Sequence, residues 1–185
     1  MRKIKLFEDF IMEKTGDTYD YGCVMLYFNF DQLADIHAKI DEADLYVEED
    51  DRTYGLEDES HVTLLYGLHN NVTMDHIKNV IGNSTFSNLV LHNVSLFENE
   101  YDVLKLDVKY PDGSDQCLHT CNKALAELPH TNSYPDYHPH CTIAYLKKGM
   151  GAKYVEMFND LEYNIEPSHV VYSHADGEKT EIKIN

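Results

Sequence analysis

Two short stretches carry the same side chains at the same spacing. His61-Val62-Thr63 opens the run HVTLLYGL, and His140-Cys141-Thr142 opens HCTIAYL. In a β-strand, residues two apart share a face, so each imidazole points the same way as its hydroxyl. The residues between and after them are apolar, as in central strands covered on both sides. Burying an imidazole and a hydroxyl costs free energy unless they have partners, and here it happens twice. Two imidazoles facing one volume can divide proton work. Histidine titrates near neutrality, so a neutral ring can take a proton from an attacking hydroxyl while a protonated ring gives one to the leaving oxygen. Thr63 and Thr142 can donate to non-bridging phosphate oxygens, and a cationic imidazole offsets phosphate charge. The set suits phosphodiester cleavage without a metal.

Other clusters lead elsewhere. His130, His138 and His140 lie near one another, with Cys117 and Cys121 upstream. No C-x2-C or H-E-x-x-H spacing is present, so neither a metal nor a cofactor is expected. His37 and His76 fall in predicted helices and read as solvated. The acidic run at 48–51 lacks the alternating oxygen ligands and central glycine of a calcium loop and reads as a solvated face. No glycine-rich phosphate loop occurs.

These residues need a scaffold, and the chain is long enough to supply one. Its 185 residues suit one domain with a real core. The net charge is −18, from 33 acids against 15 bases. Such a chain repels long polyanions, and it has no Lys/Arg cluster to release counterions from DNA or RNA. No apolar run is long enough to span a membrane. Residues 1–20 place Leu6, Phe7, Phe10 and Ile11 on one helical face, broken by acids. They read as an amphipathic extension, not a secretory signal. Cys23, Cys117, Cys121 and Cys141 form no disulfide framework, which points to a reducing cytoplasm.

Strand-like and helix-like runs alternate along residues 21–185. Strands are predicted at 21–30, 61–68, 86–99, 101–110 and 140–146, with a closing hairpin over 168–184 that turns at Asp176-Gly177. Helices are predicted at 31–43 (capped by Asp31), 73–83 (capped by Thr73), 114–128 and 151–161. Two blocks share an order: a strand opening His-x-Thr, then a glycine, then a helix. That repeat implies two similar lobes.

With both motifs in view, the chain resembles the two-histidine (2H) phosphoesterase superfamily, defined by paired His-x-Thr motifs in pseudo-symmetric lobes. The stretches YGCVMLYFNF, YGLEDESHVTLLYG and VSLFENEYDVLKLDV are most similar to phage anti-CBASS phosphodiesterases. The resemblance implies an α+β fold in which two antiparallel sheets flank a central cleft, with helices outside. It implies a metal-independent hydrolase that opens 3′–5′ bonds of cyclic di- and trinucleotides and so blunts host antiviral signalling. His61 and His140 would then carry acid–base catalysis, and Thr63 and Thr142 would bind phosphate. Tyr27 and Phe97 would hold a base, with His174 at the cleft rim. The partner would be a small cyclic nucleotide, in the cytoplasm of a host cell if the chain is phage-encoded. An RNA 2′,3′-cyclic phosphodiesterase or RNA-end-trimming enzyme of the same superfamily, and a non-catalytic cyclic-nucleotide-sequestering protein, are the alternatives.

Overall fold

The computed structural model describes residues 21–48, 54–112, 116–131 and 136–184. The extension at 1–20 and most of the acidic run at 48–51 lie outside the described residues. Among these residues, eight strands make two antiparallel sheets. In the first, β2 (His61–Leu68), β1 (Gly22–Phe28), β7 (Pro167–Ser173) and β8 (Lys179–Lys183) are neighbours in that order. In the second the order is β5 (His140–Lys147), β4 (Tyr101–Lys109), β3 (Leu89–Glu98) and β6 (Tyr163–Ile165). The two inner edges, β2 and β5, lie against one another.

Among the described residues, four α-helices cover the outer faces. They are α1 (Leu33–His37), α2 (Met74–Gly82), α3 (Gln116–Ala126) and α4 (Gly151–Met157). Helices α2 and α3 pack on β7 and β2, α1 packs on β5, and α4 packs on β3 and β4. Alternation along each strand sorts its side chains. On β1, Val24, Leu26 and Phe28 enter the main core beneath the helices, while Cys23 and Met25 join a separate small cluster on the opposite face with Tyr66 and Val171. In the second sheet, Tyr101, Val103 and Tyr145 form the matching cluster. The α+β architecture with antiparallel sheets and outer helices is the one the resemblance implied.

Three expectations need correction. The strands that open with His-x-Thr are not central: each is the inner edge of its sheet. Their apolar character survives because other segments cover those edges. Backbone bonds from Tyr46 and Glu57 reach Tyr145 O and Ile143 O on β5, at 3.0 Å each. On β2, His69 N donates to Pro129 O at 3.0 Å and Thr131 N to Gly67 O at 2.8 Å.

The helix expected over 31–43 breaks after His37 and resumes as a 3₁₀ turn, Glu42–Asp44. Its cap is Asp41, whose carboxylate accepts from Ala43 N, while Asp31 caps nothing. Tertiary bonds override helical propensity here. His37 Nε2 donates to Ile143 O at 2.9 Å, so that ring is anchored, not solvated. Tyr154 Oη accepts from Asp41 N at 2.9 Å and donates to the Asp44 carboxylate at 2.6 Å. By contrast, Thr73 caps α2 as expected, and His76 accepts the Thr73 N–H in return. The third correction is β6, a three-residue strand absent from the sequence reading.

Candidate active site

Each His-x-Thr strand is distorted in the same way. Across β1, Val24 pairs with Leu65 and Met25 with Thr63, so Leu64 is an extra residue in β2. Across β4, Leu104 pairs with Ala144 and Lys105 with Thr142, so Ile143 is the extra residue in β5. A β-bulge lets two consecutive side chains face one way. Leu64 and Leu65 both enter the main core, as do Ile143 and Ala144. His61, Thr63 and Tyr66, and likewise His140, Thr142 and Tyr145, then share the face turned from the helices. The repeat is thus His-x-Thr-x-x-Tyr, a bulged unit whose tyrosines the sequence reading passed over.

The two strands that carry the motifs lie against one another. Both histidines are fixed by the same local bond. His61 Nδ1 lies 2.7 Å from Glu59 O, and His140 Nδ1 lies 2.7 Å from His138 O. A carbonyl only accepts, so Nδ1 carries the proton in each ring and Nε2 holds the lone pair of the neutral form. Thr63 and Thr142 are each 8% exposed, among the few buried polar side chains. The Thr63 hydroxyl bonds the Cys23 thiol, which burial pushes up to about 12.

Around the matching motifs the surroundings differ. Near His61, Tyr27 stands between two imidazoles: its ring stacks on His61 at 5.3 Å and on His169 at 5.2 Å. Both ring faces are therefore covered, and the hydroxyl is what Tyr27 presents, donating to Glu59 at 2.6 Å. Burial, and then the Glu59 carboxylate, push this phenol far above its usual range. The same bond holds the Glu59 carboxyl below the usual carboxylate range. Glu57 also faces His61; burial pushes its carboxyl up, against the pull of the ring.

Near His140 the second sheet brings Phe97, Lys105, Asp107 and Ser95 together. Phe97 meets His140 edge to face at 4.9 Å. Lys105 Nζ lies 4.6 Å from the Phe97 centroid and donates to Asp107 Oδ1 at 2.6 Å and Ser95 Oγ at 2.8 Å. Burial opposes the Asp107 carboxylate, yet hydrogen bonds from Lys105 and Asn93 hold its carboxyl below the usual range.

His169 is the β7 histidine on this face. Ser168 Oγ donates to Tyr27 O at 3.1 Å and accepts from His169 Nδ1 at 2.8 Å. His174, expected at the rim, instead packs at 4.0 Å on Tyr172, a core residue of the opposite face. Lys105, Asp107 and His169 escaped the sequence reading. The available signal was polar residues at alternate positions of VLKLDV, which is unusual in a strand with neighbours on both sides.

Beside Tyr27 lies an open pocket of about 440 Å³, lined among others by Asn29, Asp31, His37, Asp58 and Glu59. Among the described residues no three His, Cys, Asp or Glu side chains are gathered as a metal would require. Nor is any described helix long and apolar enough to cross a membrane.

Residues 33–169, well over half of the chain, match the sequence pattern of the 2′-5′ RNA ligase superfamily. No curated protein sequence matches. The fold is similar to that of Usb1 from Kluyveromyces marxianus, with a TM-score of 0.58 at 9% identity over 89% of this chain and 98% of that one. Usb1 with uridine monophosphate gives 0.55 at the same identity and coverage. E. coli LigT complexed with 3′-AMP gives 0.50 at 16% identity, over 89% of this chain and 96% of that one.

Proposed function

Because the chain belongs to the 2′-5′ RNA ligase superfamily of two-histidine phosphoesterases, we propose that it is a metal-independent phosphodiesterase that opens cyclic di- and trinucleotides to linear products. One observation carries the reading: two bulged His-x-Thr units, on strands that lie against one another, hold their imidazoles in the same tautomer through the same upstream carbonyl bond. In the first step the neutral ring takes a proton through Nε2 from the attacking hydroxyl. That oxygen bonds to phosphorus. The P–O bond to the ribose breaks, and the other ring, protonated, gives its Nε2 proton to the leaving oxygen. The rings end with their protonation states exchanged and reset through solvent. Thr63 and Thr142 donate to the non-bridging oxygens, where charge grows in the transition state.

A small ring is favoured over long RNA by charge. A chain of net charge −18 repels long polyanions, and the open pocket beside Tyr27 has carboxylates that can accept base N–H groups. Phe97 is the better candidate for stacking a base, since both faces of Tyr27 are covered. Acting on such messengers would blunt a host's nucleotide-triggered defence.

The test is a chromatographic time course on a 3′,3′-cyclic dinucleotide beside a short RNA ending in a 2′,3′-cyclic phosphate, both in excess EDTA. Wild type runs with His61→Ala and His140→Ala. Linear dinucleotide from wild type alone is expected. Turnover of the RNA end alone would replace the ring substrate with the RNA reading. A ring bound and released intact would make the chain a sequestering protein.

A further inference from the structure

Lys105 breaks the pseudo-symmetry of the cleft. It is 5% exposed, and it is the one base among the buried polar side chains of the described residues. Its cross-strand neighbours are Thr142 on β5 and Ser95 on β3. The position opposite Thr63 in the other sheet is Met25. A methionine fills that place at no electrostatic cost, whereas an ammonium taken out of water needs its counter-charge and hydrogen bonds supplied. Two of its three N–H donors go to Ser95 and Asp107. The fold could use the apolar residue it already uses once, so the charge calls for a reason beyond packing.

The rest of the cleft supplies that reason. At the His61 end stand the carboxyls of Glu57 and Glu59, and the cation there is the exposed Lys179, 3.7 Å from Glu59. At the His140 end the cation is buried: Lys105, paired with Asp107, stands across from the Thr142 hydroxyl. Antiparallel cross-strand neighbours hold their Cβ atoms about 5 Å apart, which lets Lys105 Nζ and Thr142 Oγ1 reach two oxygens of one phosphoryl group. We propose that Lys105 is a phosphate-binding residue that draws the substrate's phosphoryl group toward the Thr142 side and so sets the direction in which a symmetric pair of motifs is used. The role rests on the phosphodiesterase reading, but the site itself is open to a separate test.

The test titrates inorganic phosphate calorimetrically into wild type, Lys105→Met and Asp107→Asn, and in parallel follows ring opening by each. Lys105→Met is expected to weaken phosphate binding by about tenfold or more, the scale of a charge-assisted hydrogen bond. It should raise KM more than it lowers kcat. Asp107→Asn, which removes the competing counter-charge, is expected to tighten phosphate binding. A purely structural ion pair predicts a loss from both variants, and that result overturns the proposal. So does a folded Lys105→Met that binds phosphate as wild type does, or a wild type that binds none. If Lys105→Met fails to fold, Asp107→Asn decides: a gain supports the role and a loss refutes it. A wild type that binds phosphate yet leaves the ring intact removes the ring substrate and keeps the Lys105 site.

Discussion

Replacing Gly67 by alanine tests how the first His-x-Thr strand is held in place. Gly67 sits near the end of β2 at φ +102°, a conformation that L side chains rarely adopt. A Cβ there would stand 2.1 Å from Thr131 O. The neighbour is backbone, so no rotamer relieves the overlap. The left-handed conformation costs alanine about 1–2 kcal/mol. Displacing the covering segment breaks the bonds from Thr131 N to Gly67 O and from His69 N to Pro129 O, each worth about 1 kcal/mol net. The loss is about 3–4 kcal/mol together, and at roughly 2–4 °C per kcal/mol for a chain of this size it lowers Tm by about 6–16 °C. Gly149 supplies the control. It too has positive φ, +83°, but a Cβ there meets nothing within 4 Å. Gly149→Ala should lose only the conformational part, about 1–2 kcal/mol. Thermal melts of both variants measure the difference. Turnover adds a second readout, because Tyr137 Oη donates to Thr63 O at 3.0 Å on the same covered edge. Gly67→Ala should lose activity as well as stability, and Gly149→Ala only stability. Equal Tm shifts in the two variants would refute the reasoning.

His61→Asn and His140→Asn keep a nitrogen near each Nδ1 position and lose Nε2. Each should reduce turnover on the order of 10²–10⁴-fold with Tm little changed, and the double variant should be scarcely worse than either single one. Of the four cysteines, Cys117 is exposed while Cys23, Cys121 and Cys141 are buried. Burial pushes Cys23 and Cys141 up to about 12, so a thiol reagent should find one fast group in the native chain and four after denaturation. Tyr27→Phe removes the hydrogen bond that holds Glu59 below its ordinary range. A depressed carboxyl stabilises the fold above its unfolded pKa, and the benefit fades as pH falls through the folded value. The stability gap between wild type and Tyr27→Phe should therefore close on acidification below about pH 4.5, and an NMR titration of Glu59 should move upward in the variant.

What could be read from the sequence was mostly local. Strand β2 begins at His61 and ends at Leu68 as its apolar run implied, and Thr73 caps α2 because a threonine before a helical period has few better uses. The long-range features were hidden. Nothing in HVTLLYGL says that its strand is an edge, because its apolar residues are demanded equally by a central strand and by a covered edge. The bulges were concealed for a related reason: Leu64-Leu65 and Ile143-Ala144 look like ordinary continuous burial until pairing partners are counted. The helix at 31–43 had the right period and was undone by bonds to β5 and Tyr154, more than a hundred residues away. Lys105 and Asp107 escaped notice because alternating polar residues also suit the wet face of a strand, and pairing on both sides of β4 is visible only in the sheet order.

The covered edges also bear on solubility. An apolar edge strand left open is a template for pairing with another copy of the chain. The outer edges here are poor templates: β8 has the sequence KTEIK, with charges along it, and β6 spans three residues. The inner strands have no such protection of their own. HVTLLYGL and HCTIAYL are β-prone and nearly uncharged, the composition of aggregation-prone segments. Among the described residues, the segments around Tyr46, Glu57 and Pro129–Thr131 cover them. A nick or substitution that loosens either covering segment should therefore appear first as precipitation during expression, with the strands that carry the histidines as the sticky surface.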